Sequence, residues 1–287
     1  MEKCNLCPVS CGADRNLNIG YCGEKNTMRI AKYYPHMFEE PVISGKNGSG
    51  TVFFCGCNLK CVFCQNYVLS RSKTGKEISP KELTDIFKEL EDTGVHNINL
   101  VTPTHFTDRL IEAFEIYKPN IPVVYNTSSY EKVETLEKID KYVDIYLPDL
   151  KFFSPEISKR YTGKADYFSV ASKAVKFMME RKNYVLGKDG MLKSGVIVRH
   201  MIMPLCVSDS KSVLKWFAEN KRNGAYISLM AQYTPFGEKD KFPELNRKIT
   251  AREYDRVYEE LLSLNITEYF AQERSSAKES FIPKWDF

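Results

Sequence analysis

Gly56-Cys57-Asn58-Leu59-Lys60-Cys61-Val62-Phe63-Cys64-Gln65-Asn66, entered through the apolar run Thr51-Val52-Phe53-Phe54, decides how the rest of the chain is read. The three thiols stand at C-x3-C-x2-C just after a strand-like segment. That spacing wraps three corners of a cubane iron–sulfur cluster and leaves the fourth iron without a protein ligand. A zinc knuckle fits less well, because structural zinc takes four ligands, usually as two separated pairs. Cys55 is the nearby candidate for a fourth, but alternation along a strand turns its side chain elsewhere.

A chain of 287 residues fits one large domain with a small appendage. The expected division is a Cys-rich metal-binding segment and connector over residues 1–50, then a catalytic α/β unit over 51–287. The 41 basic and 37 acidic residues are mixed along the sequence, so the basic footprint of a dedicated nucleic-acid binder is missing. Met1-Glu2-Lys3-Cys4 lacks an apolar leader core and no stretch of 18 apolar residues occurs, so the expected location is cytoplasmic, with no membrane partner. Seven of the nine cysteines fall in two short clusters, which in such a chain reads as metal binding rather than a disulfide framework.

The first cluster is Cys4-x2-Cys7-x3-Cys11-x10-Cys22, with Gly12 and Gly23 after its last two thiols. Glycine there lets backbone N–H groups turn toward thiolate sulfur. Four thiolates on a stretch too short for a core point to a metal-folded module, and both zinc and a second [4Fe-4S] cluster satisfy the count. Residues 29–50 read as a connector. Its glycines at 45, 48 and 50 read as a turn into the first strand, and Glu39 and Glu40 read as surface salt-bridging groups.

Beyond the opening motif, strand and helix patterns alternate. Strands are expected at 97–102, 123–127, 143–147, 195–203 and 225–231, with a last one at 267–271. Helices are expected at 81–92, 106–117, 132–139, 211–221 and 250–264, and an irregular helical region at 154–186. Such alternation gives parallel strands with right-handed crossovers, closing into a full or partial barrel. In a barrel of this kind, function gathers at the carboxyl ends of the strands. There the sequence places Thr102-Pro103-Thr104-His105, Asn126-Thr127, Asp149-Leu150-Lys151, Arg199-His200 and Gln232-Tyr233-Thr234-Pro235.

The cysteine spacing, Gly56, Phe63 and Gln65-Asn66 together resemble the radical S-adenosylmethionine (SAM) superfamily. Within it the chain is similar to glycyl-radical-enzyme activases, especially the group related to the pyruvate formate-lyase activating enzyme. Pro243-Glu244-Leu245-Asn246-Arg247 and the ending Ile282-Pro283-Lys284-Trp285-Asp286-Phe287 extend the likeness over nearly the whole chain. The resemblance implies an α/β fold, a partial (βα)6 TIM-like barrel, and a [4Fe-4S] cluster on Cys57, Cys61 and Cys64. It also implies reductive SAM cleavage to a 5′-deoxyadenosyl radical, a polypeptide or small-molecule substrate, and an electron donor such as flavodoxin or ferredoxin. By the same resemblance Phe63 would lie against the adenine, and Asp149 and Lys151 would take the ammonium and the carboxylate. Asn126 and Thr127 would add polar contacts, and His200 would reach the ribose or the amino-acid part; its other role is that of a hydrogen-bonded core histidine. One departure is plain: Thr-Pro-Thr-His stands where relatives carry a Gly-Gly-Glu-Pro-like turn, so Thr102, Thr104 or backbone carbonyls must replace the usual carboxylate. Two other classes fit parts of the pattern, an iron–sulfur electron carrier and a zinc-binding interaction module.

Overall fold

The structure, a computed structural model, describes residues 3–71, 74–235 and 241–273. Its elements follow in chain order as β1 (Met28–His36), α1 (Pro41–Ser44), β2 (Ser49–Phe54), α2 (Tyr67–Arg71), β3 (Lys76–Ile78), α3 (Pro80–Asp92), β4 (Ile98–Val101), α4 (Thr107–Ile116), β5 (Val123–Thr127) and α5 (Val133–Ile139). There follow β6 (Ile145–Pro148), α6 (Pro155–Thr162), α7 (Tyr167–Arg181), β7 (Val185–Leu186), β8 (Leu192–Met201), α8 (Val207–Asn220), β9 (Tyr226–Met230), α9 (Ala251–Ser263) and β10 (Tyr269–Ala271).

One sheet runs β10-β9-β8-β6-β5-β4-β2-β1-β3. The seven strands from β2 to β10 in that path pair in parallel, while β1 lies antiparallel to both β2 and β3. The sheet does not close on itself. It is the partial barrel that the resemblance implies, six βα units followed by a last strand. Helix α3 starts where its sequence says it should: Ser79 accepts from Glu82 N and the Glu82 carboxylate accepts from Ser79 N, with Pro80 in the first turn. The irregular helical region breaks into α6 and α7 at Gly163, which ends α6 at φ +72°, donating its N–H to Lys159.

Residue parity divides the core. Val52, Leu100, Tyr125, Tyr146, Val198 and Leu229 face the helices in the larger core cluster, whereas Val124, Ile145, Leu147 and Ile197 face the barrel interior. Ile43 of α1 is fully buried in that interior cluster. Asn97 Nδ2 donates to its carbonyl at 2.7 Å. The connector is therefore not only loop and surface: its first part is strand β1, with Ile30 buried, and its short helix α1 buries Ile43 against the barrel interior. Glu39 and Glu40 ride in with α1. The Glu39 side chain is only 11% exposed, so the surface reading of these glutamates is corrected. Among the described residues no helix is long and apolar enough to cross a membrane. The aromatic ending 282–287 lies outside the described residues.

Candidate active site

At the carboxyl ends of the strands the interior opens into a cavity of about 440 Å³, a size usual for small-molecule and cofactor sites. Cys57, Cys61 and Cys64 share its wall with Thr102 just past β4, with Asn126 and Thr127 of β5, and with Asp149 and Lys151 just past β6. Local backbone explains how the cysteine loop is presented. Gly56 at φ +78° turns the chain out of β2 and Lys60 at φ +57° turns it again before Cys61. Cys57 N donates to Cys22 O at 3.0 Å and Val62 N to Tyr161 O at 2.9 Å, pinning both sides of the loop. Thr102, a β-branched residue at φ +61°, sits on the same wall. Such a conformation costs roughly 1–3 kcal/mol and persists only where its surroundings enforce it.

Phe63 is buried and edge-on to Phe152, with Lys151 Nζ 6.0 Å from its ring centre. Lys151 Nζ donates to Asp149 Oδ2 at 2.6 Å, and Arg199 Nε donates to Asp149 Oδ1 at 2.9 Å. Arg199 continues to Glu39 Oε2 at 3.1 Å and Asn126 Oδ1 at 2.5 Å, while Asn126 Nδ2 and Asn99 Nδ2 return to Glu39 Oε1. The result is a buried ionic lattice across β4, β5, β6, β8 and the connector. Burial pushes the Asp149 carboxyl up, but the Arg199 and Lys151 charges overcome it and leave it below the usual range. Lys151 is raised despite burial, chiefly by Asp149.

Two expected contacts move off the cavity. His200 has the parity of Val198, so it faces the helix layer, where Nδ1 lies 2.8 Å from Leu150 O; burial pulls its pKa down to about 4. It is a core histidine, and its neighbour Arg199 holds the inward position. Thr104 is buried below the rim with its hydroxyl donating to Glu131 Oε1 at 2.5 Å. The Thr127 hydroxyl is spent on the same oxygen at 2.5 Å although its residue lines the cavity. Glu39 and Arg199, the residues that organise the floor, were not among the expected site residues. The signal for Arg199 was the two-residue period of β8. Cys55 points away, its thiol donating to Thr74 O at 3.0 Å.

The donor set on the cavity is three thiols without a carboxylate or imidazole in the loop, which suits iron–sulfur rather than a hard cation. The thiol protons must leave for metal to bind; burial pushes the Cys64 thiol up to about 11 and the Cys61 thiol higher. Among the described residues no three Cys, His, Asp or Glu side chains converge at metal-ligand spacing.

Gly56 gives a sharp check on this loop. A Cβ there would stand 2.6 Å from Glu24 Cγ and 2.8 Å from Cys22 O, at a φ that side chains avoid. Gly56→Ala should cost at least about 2 kcal/mol and displace Cys57. Iron bound per chain should drop and the thermal midpoint should fall; full iron content with an unchanged midpoint would contradict this account of the turn.

Residues 51–192 match the Radical SAM superfamily. An uncharacterized protein of Methanocaldococcus jannaschii, MJ0674, is 31% identical over 267 residues, covering 90% of this chain and 74% of its own. Among solved structures, Streptococcus suis SuiB bound to S-adenosylmethionine aligns with a TM-score of 0.52 at 17% identity, over 76% of this chain and 48% of that one. SuiB bound to its precursor peptide SuiA aligns at 0.50 and 15% identity, over 84% and 48%. This chain thus spans about half the length of those two solved structures, whose likeness speaks to the fold. Matched residues, cysteine loop and unclosed parallel sheet agree, and the chain belongs to the radical SAM superfamily.

Proposed function

We propose that this chain is an enzyme that binds SAM in the cavity beside a cluster held by Cys57, Cys61 and Cys64, and takes a hydrogen atom from a polypeptide substrate. The observation that carries the reading is the placing of three thiols and a buried Asp149–Lys151–Arg199 lattice on one cavity wall. Cys57, Cys61 and Cys64 would hold the cluster, and the chemistry it would supply when bound is one-electron reduction of SAM, cleaving it to methionine and a 5′-deoxyadenosyl radical. The protein's share is positioning and exclusion of water. Asp149 fixes the Lys151 ammonium beside the thiols and offers carboxylate to an ammonium ligand, while Lys151 offers charge to a carboxylate. Phe63, Met201, Met203 and Met230 supply the apolar wall. For the substrate, the activase-like pattern favours a glycine Cα of a glycyl-radical enzyme, and an open sheet leaves lateral room for an extended loop.

The test mixes anaerobically reconstituted, reduced enzyme with SAM and candidate glycyl-radical partners. A glycine-centred paramagnetic doublet that collapses to a singlet with Cα-deuterated glycine is the expected result. If instead only a small metabolite transfers deuterium into 5′-deoxyadenosine, the polypeptide reading fails while SAM cleavage stands.

A further inference from the structure

The N-terminal cysteines do not hang beside the barrel. Cys4 N donates to Ala13 O and Gly12 N to Cys4 O, folding the first loop back on itself. Thr135 Oγ1 donates to Leu6 O at 2.7 Å, docking that loop on α5. Arg15 is buried and donates to His105 O at 2.5 Å, Lys25 O at 2.5 Å and Glu24 O at 3.3 Å, with its guanidinium 5.6 Å from the Phe106 ring centre. His105 Nε2 in turn lies 2.7 Å from Cys55 O. The Cys22 carbonyl takes the N–H of Cys57 itself. Ser10 N also donates to Cys7 O at 3.0 Å, so the first three cysteines lie on one loop folded back on itself.

A second observation marks the seam as incomplete. Asn58, one residue into the cysteine loop, is 1% exposed and donates from Nδ2 to Tyr130 O at 2.8 Å, yet its Oδ1 is buried without a hydrogen-bond partner. Glu131 Oε2, His105 Nδ1 and Glu24 Oε1, all along the same seam, are likewise buried and unpartnered. Orphaned polar atoms of this kind cost about 1–3 kcal/mol each and mark places where an ion, water or ordered ligand completes the packing. The Asn58 side chain also lies within hydrogen-bond reach of the Cys7 thiol.

We propose that Cys4, Cys7, Cys11 and Cys22 hold a thiolate-bound transition-metal centre, zinc or iron–sulfur, that sets the position of the Cys57–Cys64 loop through the Cys22–Cys57 backbone bond and Asn58. Occupancy of the first centre then governs how SAM engages the second. This coupling rests on the radical SAM reading. Metal drawn to all four thiolates fixes the Cys22 carbonyl, which takes the Cys57 N–H, and Cys7, which the Asn58 side chain reaches. A metal that merely ordered the N-terminal segment would leave the second centre's spectrum alone.

The test first removes the second centre. The full chain carrying Cys57→Ala, Cys61→Ala and Cys64→Ala should still bind metal after anaerobic loading with zinc, or with iron and sulfide, and should lose it when Cys7 and Cys22 also become serine. No metal in the triple variant overturns the proposal. Next, with Cys57, Cys61 and Cys64 intact, Cys7→Ser with Cys22→Ser should keep the reduced-cluster paramagnetic signal but lose its change on adding SAM, with KM for SAM raised about tenfold or more, the usual range for a metal's outer-shell partners. An unchanged SAM response in that variant overturns the coupling and leaves the radical SAM reading intact; a wild-type protein with no SAM response overturns the reading itself. Should the serine variant fail to fold, Asn58→Ala serves: it should retain the N-terminal metal, weaken the SAM response in the same direction, and a full response there would sink the proposal.

Discussion

Replacing any one of Cys57, Cys61 and Cys64 with alanine should abolish SAM cleavage, with 5′-deoxyadenosine formation down by at least about 100-fold, because even outer-shell partners of a metal are worth roughly 10–100-fold. Each thiol is one of three on a single cavity wall, and Cys61 is buried at its base. The fold should survive, since the loop is held at Val62 by the Tyr161 carbonyl and at Asn58 by Tyr130, none of which uses a thiol. Cys55→Ala and Cys206→Ala are the controls: the first thiol points to Thr74 and the second packs in the helix-facing core. Both should cleave SAM as wild type does. Reconstitution should also be pH-dependent. The Cys64 and Cys61 thiols lie above their ordinary value, mainly through burial, and metal must displace their protons, so cluster loading should improve as pH rises through the range where the thiols begin to ionise. Chromatographic 5′-deoxyadenosine and iron content per chain check each point; wild-type turnover in any of the three alanine variants would undo the ligand assignment.

Much of the architecture was legible because its determinants are local. The Ser79-Pro80-x-Glu82 start of α3 carries its own caps, and strands such as Val123–Thr127 open on an apolar run, Val123-Val124-Tyr125, and are buried along their whole length, as parallel strands covered on both faces are. The thiol trio was legible for the same reason, its spacing lying within one loop. What escaped depends on contacts distant in sequence. Strand β1 was hidden because only Met28 and Ile30 of its length are fully buried, so its alternation is weak. The connector's glutamates looked like surface charge until Arg199, 160 positions further on, met Glu39 inside the barrel. His200 and Arg199 differ by a single step on a strand, which exchanges interior for exterior; of the two roles open to His200, the structure places it as a hydrogen-bonded core histidine. Thr104 escaped for a related reason: a buried carboxylate at Glu131 collects its hydroxyl together with that of Thr127.

Arg199→Met should be the most destabilising single change in the site, costing about 3–5 kcal/mol at neutral pH, because removing one partner of a buried ion set strands the others. Arg199 is 13% exposed and supplies the positive charge to Asp149 and Glu39 at 2.9 and 3.1 Å, and it also holds down Glu40, whose carboxyl burial already pushes up. The pH dependence follows in sign. In the wild type Asp149 is depressed, burial being outweighed by Arg199 and Lys151, so its contribution is present above about pH 4, the ordinary carboxyl range, and is lost as pH falls through its lower folded value. Without Arg199 the burial effect gains on Asp149 and Glu40. A carboxyl raised above its unfolded value binds its proton more tightly in the folded chain, so the variant loses stability as pH rises from about 4 toward neutrality. The gap between the two proteins should therefore be wide at pH 7.5 and narrow at pH 5, read from denaturant midpoints of cluster-free protein. A gap that is equal at the two pH values, or wider at the lower, would show that Arg199 acts by packing its aliphatic stem rather than by charge. Adding Glu39→Gln to the variant separates the two causes further: it removes one stranded carboxylate while keeping the acceptor for Asn99 and Asn126, so part of the lost stability should return. In the wild-type background the same change breaks the Arg199 pair and should destabilise, and that reversal of sign is what an ionic role for Arg199 requires.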